Sequence, residues 1–382
     1  MKKGFLNFKL FTLLSMGKTF LHNKTNISKL LKLSRGLLIL KFGIFNFFFN
    51  SRISCFSVKK EEISNVFYPA NDPIEDRFEI KFLENIDNAL LVSVLDGHGG
   101  HTLSDFTNQR MSEYIQKFYI ELKSEANISD EKNLIATSIK KAFNQIEEEF
   151  KEKALDYYNR GYGKMATVGS CVLVCLIHND TLYVANLGDS KARIIRNENG
   201  KYSSLKLMHR HNSEKPREKE ILYKNFPNDD DIVVCKRKDG TVCYVKGRLQ
   251  PTRSLGDFHL KYKEFNEFSN DGYKRPVKNF NGPYISADPE ITVYPLNYNI
   301  DKYLIVATDG LGDFVNSKEV VKYVESNEYN NKKPDANDLL DIVLSKAAQE
   351  SRLSIEQLKN KPLGYRRNLH DDTTIIIVPL KQ

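Results

Sequence analysis

The stretch VGSCVLVCLIHNDTLYVANLGDSKARII, residues 168–195, holds two β-rich apolar runs on either side of His178-Asn179-Asp180. Such runs around a short polar break read as antiparallel strands joined by a hairpin. ALLVSVL (89–95), YLIVATD (303–309) and TTIIIVPL (373–380) read as further strands. Long helical patterns lie between them. Leu103, Phe106, Met111, Tyr114, Ile115 and Phe118 predict one helix over 102–123. Asp130 is placed to cap a second, whose apolar face carries Ile135, Ile139, Ala142, Ile146 and Phe150. Further helices are expected from about Ser317 and over 335–350. Hairpins and helices come in blocks, without strict βαβ alternation. The sequence therefore predicts an α+β fold with antiparallel sheets covered by helices.

The chain has 382 residues, 41% of them apolar, enough for a sizeable core. Its net charge of +8 is unevenly spread. Of 57 Lys and Arg, 12 fall in residues 1–60, where there is no Asp or Glu. That leaves 45 against 49 acids in the body. A mildly acidic body gives no argument for nucleic-acid binding. The basic segment 1–60 stays open to three readings: a mitochondrial transit peptide, a membrane-associated segment using residues 36–49, or a compositionally biased extension. The matching locations are mitochondrial, membrane-associated or cytoplasmic. Residues 61–382 read as one catalytic-sized domain, with a polar insertion or flap at about 210–247. The five cysteines form no C-x-x-C pair and read as reduced thiols.

One feature recurs along the body. VSVLD ends on Asp96, YVANLGD on Asp189 and YLIVATD on Asp309, with Asp313 four residues later. Asp371-Asp372 directly precedes the last strand, and Glu75-Asp76 lies in PANDPIEDRFEI. A single Asp-Gly after a strand is a turn signal. Several acids at strand ends can meet in one sheet, where they would repel unless cations neutralise them. Hard divalent ions such as Mg²⁺ and Mn²⁺ take oxygen ligands, and two of them can orient a phosphate for in-line attack. Gly97 lets a backbone carbonyl approach the same ion.

The ordered set PIEDR, VSVLDGHGG, VGSCVLVCLI, LYVANLGDSKARI, LQPTRSLGDFHLK, SADPEITVYPL, YLIVATDGLGDFV and DDTTIIIV spans about 310 residues. It resembles the metal-dependent type 2C Ser/Thr protein phosphatases. PANDPIEDR, HNSEKPREKE and GRLQPTRSLGD look like the pyruvate dehydrogenase phosphatase branch. The resemblance implies a four-layer αββα sandwich with two Mg²⁺ or Mn²⁺ ions at one end. It implies that Asp96 bridges both ions and that the Gly97 carbonyl binds one. Asp309 and Asp371 would ligate the other, and Glu75 and Asp76 would act at or near the first through water. His98 would be the general acid, and Asp189 and Asp313 would hold a weaker third ion. A metal-bound hydroxide would attack phosphorus directly. The implied substrate is a phosphoprotein, with the E1 subunit of an oxo-acid dehydrogenase as the branch-level expectation.

There are departures. Asn71 stands where the family often has a phosphate-binding Arg, leaving Arg77 as a candidate cation. Gly312 stands where the family often has Trp. Arg253 and Asp257 read as structural supports, and His370 as an exposed histidine. The competing functional reading is a catalytically silent regulatory module of the same fold.

Overall fold

The computed structural model describes residues 57–125, 130–236, 242–266, 276–277 and 279–381. Almost all of the basic N-terminal segment, including 36–49, lies outside the described residues. Among the described residues, no helix is long and apolar enough to cross a membrane.

Strands β1 (Ser64–Tyr68), β2 (Arg77–Leu83) and β3 (Ala89–His98) precede helices α1 (Thr102–Asn108), α2 (Met111–Glu125) and α3 (Glu131–Asn159). Next come β4 (Gly169–His178), β5 (Thr181–Leu187), β6 (Lys191–Glu198) and β7 (Lys201–Lys206). Helix α4 (Pro216–Asn225) and the short β8 (Val233–Cys235), β9 (Cys243–Val245) and β10 (Leu255–Gly256) follow. β11 (Glu290–Pro295) and β12 (Asp301–Ala307) lead into α5 (Asp309–Phe314), α6 (Ser317–Tyr329), α7 (Ala336–Glu350) and α8 (Ile355–Lys359). The last strand is β13 (Thr373–Pro379).

Two antiparallel sheets form, ordered β1-β13-β12-β6-β7 and β11-β5-β4-β3-β2, with β10 added beside β4. The two-residue period of a strand explains the layers. Leu90, Val92 and Val94 share a core with Leu173 and Cys175 of their own sheet and with Leu304, Val306, Ile376 and Val378 of the other. The alternate residues Leu91, Leu95, Val172 and Val174 pack with α1, α2 and α3 through Leu103, Ile115, Ile139 and Phe143. On the far side, Ile305, Ile375 and Ile377 pack with Val320, Leu339 and Val343 of α6 and α7. The result is the predicted four-layer sandwich of helices, sheet, sheet and helices.

The topology decides where strand ends fall. Ala307 pairs with Ile375 and with Lys191, so β12 ends where β13 and β6 begin. Val172 pairs with Leu187 and Asp96 with Cys171, so β3 and β5 end beside the start of β4. The loops carrying Asp96, Asp189, Asp309 and Asp371 thus share one end of the sandwich.

Two expectations change. The helix over 102–123 breaks between α1 and α2. Arg110 N–H donates to Thr107 O, while its guanidinium donates to Phe106 O at 3.2 Å and stacks on the Phe106 ring. The side chain takes the carbonyl that would continue the ladder. Cys235 and Cys243 are not free thiols: they face each other across β8–β9 and form a disulfide. Cys171 and Cys175 are free and buried, as read. Segment 210–247 holds α4 and this hairpin, packed around its own small core of Leu222, Ile232, Val245 and Tyr284.

Ile376 is fully buried between the sheets. Ile376→Ala should cost about 2–5 kcal/mol of folding stability, read as a lowered urea midpoint with an unchanged denaturant slope.

Candidate metal centre

Asp96, Asp189 and Asp309 each offer a carboxylate oxygen, and these atoms all lie within 4.8 Å of one another. Asp309 Oδ1 is buried and has no hydrogen-bond partner among the described residues. A buried carboxylate oxygen left open among other acids fits a hard cation and little else. The residues therefore suit divalent ions.

Each acid is held differently. Asp96 lies near the end of β3, followed by Gly97. A Cβ on Gly97 would come within 2.5 Å of Glu75 O and 2.9 Å of Ser104 Oγ. Only glycine lets the 70–76 loop cross there, where Ser104 Oγ donates to Glu75 O at 2.6 Å. Asp189 accepts from Asn212 Nδ2 at 2.7 Å and lies 3.4 Å from Cys171 Sγ. Asp76 is buried at the start of β2 and accepts from Thr308 Oγ1 at 2.9 Å and Thr374 Oγ1 at 2.6 Å. Those two hydroxyls stand at the adjoining ends of β12 and β13, so Asp76 ties one sheet to the other. Asp371 sits against Arg367, Nη2 to Oδ2 at 2.8 Å.

Burial, followed by repulsion from neighbouring carboxylates, pushes these groups up. Asp309 rises to about 7 through burial, Asp189 and Asp313, and Asp371 to about 8 through burial and Asp309. Asp96 and Asp76 are raised well above the ordinary aspartate value, burial again being the first cause. Glu75 is raised by burial, and Asp313 by burial against the opposing charge of Lys191. Without cations the cluster would hold protons at neutral pH.

His98 follows Gly97 on the same strand. It pairs with Gly169 of β4, which pairs with Gly256 of β10, and Asp257 comes next. A Cβ at Gly169 would lie 2.0 Å from Asp257 Oδ2 and 2.3 Å from His98 Nε2. The missing side chain lets these two meet at 2.6 Å. Ser254 Oγ also donates to Asp257, at 2.7 Å. Burial lowers the His98 pKa, but the charge and hydrogen bond of Asp257 outweigh it and hold it above the ordinary histidine value.

Several supporting residues read differently from the sequence alone. Asp257 is the orienting partner of His98, while Arg253 donates to Asp288 O at 2.8 Å. Arg77 pairs with Asp105 and donates to Ile74 O, so it belongs to the loop's scaffold. His370 is buried, not exposed, and its Nδ1 contacts Asp371 O at 2.8 Å. Asn71 donates to Asp372 Oδ2 at 2.9 Å. Asp372 also accepts from the backbone N–H of Ala70, Asn71 and Glu75, and so clamps the 70–75 loop. Sequence reasoning missed Arg367. It pairs with Asp371, and although burial opposes its charge, Asp371, Asp309, Asp96 and Asp372 raise its pKa. The one available signal was its position four residues before Asp371.

The family profile described as Protein phosphatase 2C matches residues 73–352. Probable protein phosphatase 2C 28 of Oryza sativa subsp. japonica is 32% identical over 327 residues, covering 83% of this chain and 77% of that protein. Probable protein phosphatase 2C 64 of Arabidopsis thaliana is 33% identical over 316 residues, covering 81% and 75%. The crystal structure of a serine-threonine phosphatase 2C from Toxoplasma gondii superposes with a TM-score of 0.60 at 16% identity, covering 84% of this chain and 94% of that one. That likeness is one of fold.

The raised carboxyls have a measurable consequence. Unfolded aspartates ionise near pH 4, whereas Asp309 and Asp371 in the cation-free fold keep protons to about 7 and about 8. The unfolded state releases these protons first, so stability is greatest below about pH 4 for these groups and falls as pH rises toward about 8. The melting temperature in EDTA should drop between about pH 5 and 8, and saturating Mn²⁺ should remove most of that slope. A melting temperature in EDTA that rises over this range contradicts the carboxylate assignment.

Proposed function

The chain belongs to the protein phosphatase 2C family and is a protein serine/threonine phosphatase; on that premise we propose that its acids would hold two divalent cations, Asp96 contributing to both sites, Asp309 and Asp371 to one and the Gly97 carbonyl to the other. Glu75 and Asp76 would act through water at or near the ion of the Gly97 carbonyl, and Asp189 and Asp313 would hold a third, weaker ion. The observation that carries this reading is the meeting of Asp96, Asp189 and Asp309 within 4.8 Å, with one buried Asp309 oxygen unpaired. Bound Mg²⁺ or Mn²⁺ supplies charge neutralisation at the phosphoryl group and acidifies the attacking water.

The remaining work falls to the chain's own residues. Asp257 engages His98 Nε2 and favours the charged imidazole, which leaves Nδ1 to face the leaving seryl or threonyl oxygen and give it a proton. Arg367 pairs with Asp371, and its side chain is 52% exposed. A cation there, free to exchange a carboxylate for a phosphoryl oxygen, fills the role that Asn71 cannot. The intact acid set favours an active enzyme over a silent binding module.

The finer reading concerns substrate and place. PANDPIEDR, Asn71 and GRLQPTRSLGD support an E1 subunit of an oxo-acid dehydrogenase as substrate, and the acid-free residues 1–60 support delivery to mitochondria. Fractionation of cells expressing a C-terminally tagged chain tests this. A shortened form in mitochondria agrees with it, and a full-length form confined to the cytosol contradicts it.

Phosphate release from a phosphoserine peptide should require Mn²⁺ or Mg²⁺ and be abolished by EDTA. Asp96→Asn should lower kcat/KM at least about 100-fold. His98→Gln should lower kcat by about 100-fold or more. Asp257→Asn removes the group that raises the His98 pKa, so the imidazolium loses its proton at lower pH. The alkaline limb of the kcat profile should move down in pH, together with the His98 ring-proton NMR titration.

A further inference from the structure

Beside the carboxylate centre lies a second cluster, of opposite sign. On β6, Ala192 and Ile194 face the inter-sheet core, while Ile195 joins the core beneath α6 and α7. The same alternation turns Lys191 and Arg193 outward, toward α5. Arg210 reaches them from beyond β7, with its Nε donating to Asp189 O at 3.1 Å. Lys191, Arg193 and Arg210 line one cavity of about 190 Å³ whose other walls include Leu311, Gly312 and Val320. That is room for about six waters at liquid density.

No carboxylate among the described residues lines this cavity. Among the described residues, the Arg193 guanidinium has no hydrogen bond or ion pair. Across the ladder it stands opposite Lys206, a like-charge pair that costs stability. The glycine at 312 makes the arrangement fit: a Cβ there would lie 1.1 Å from Lys191 Nζ. The ammonium occupies the space a side chain at 312 would need. Arg210 also pairs with Asp189, Nη2 to Oδ2 at 3.8 Å, and Asp313 faces the Lys191 charge, so Arg193 is the cation left without an acid, and its half-burial is unfavourable until an anion joins it. The cavity also adjoins the chemistry. Gly312 shares helix α5 with Asp309, and Arg210 holds the carbonyl of Asp189. A guanidinium with no acid of its own, flanked by Lys191 and Arg210 on the same cavity wall, matches the oxygens of a phosphoryl group.

We propose that this cavity is an accessory oxyanion subsite that takes a second phosphoryl group on the substrate chain being dephosphorylated, so that doubly phosphorylated segments are preferred. The assignment rests on the phosphatase reading above. A second phosphoserine two to six residues from the scissile one would be bound by Arg193 and Lys191 while the first lies at the metal centre.

The test uses the full chain with Mn²⁺ and three versions of one peptide: singly phosphorylated, doubly phosphorylated, and with Glu at the second position, the spacing being varied. Wild type should favour the doubly phosphorylated form about tenfold in kcat/KM, mainly through KM, with Glu between the two. In Arg193→Ala the ratio should fall to within about twofold of one, and Arg193→Lys should restore much of it. The same order should appear in peptide affinities measured by anisotropy in EDTA, where nothing is hydrolysed. A ratio near one in wild type, or one undiminished in Arg193→Ala, overturns the proposal. If free phosphate is the ligand instead, phosphate inhibition of p-nitrophenyl phosphate hydrolysis shows a second component lost in Arg193→Ala, with a flat peptide ratio. That pattern also overturns it. Loss of hydrolysis with the affinity order intact would sink the phosphatase reading and leave the subsite standing.

Discussion

Like charges held close in a low-dielectric pocket are the constraint on which the rest of this structure depends. The fold gathers Asp76, Asp96, Asp189, Asp309, Asp371 and Asp372 at one end of the sandwich. It treats them unequally. Asp372 is saturated by four donors from the 70–75 loop, and Asp76 by two threonine hydroxyls. These acids hold the architecture. Asp309 keeps an oxygen buried and unpaired. Most of the donors at this end go to the acids that position the site, while Asp189 and Asp371 have fewer and one Asp309 oxygen has none among the described residues.

The same economy of position governs the proton donor. His98 and Asp257 come from strands two apart in the sheet, and they touch only because the strand between them carries glycine at 169. Packing on both faces fixes the register of β3, β4 and β10, and register fixes the pair. A slip of one residue would turn His98 to the opposite face. The geometry of a 2.6 Å contact is therefore set by hydrophobic alternation far along the strands.

The strands were legible because β4 and β5 bury both faces and their apolar runs leave few alternatives. The acids were legible because they recur at strand ends in one order. Pairwise identities were harder to see. Nothing in the spacing of Arg77 distinguishes a phosphate contact from a partner of Asp105, and 28 residues separate the two. Asp372 and Asn71 lie 301 residues apart, and their bond follows only from the placement of β1 against β13. The α1–α2 break arises from one arginine folding back on a phenylalanine, which leaves the helical period unchanged. The Cys235–Cys243 bridge depends on a three-residue hairpin inside a polar segment that offered no strand signal.

The place of β13 bears on how the protein is made. It lies between β1 and β12, so the strand nearest the end of the described chain sits inside the five-stranded sheet. Thr374 from this strand and Asp371-Asp372 just before it complete the contacts to Asp76, Ala70 and Glu75, formed some 300 residues earlier. During synthesis the acid cluster cannot close until residues 371–379 have been translated. The acid cluster is therefore complete only once this strand lies between β1 and β12.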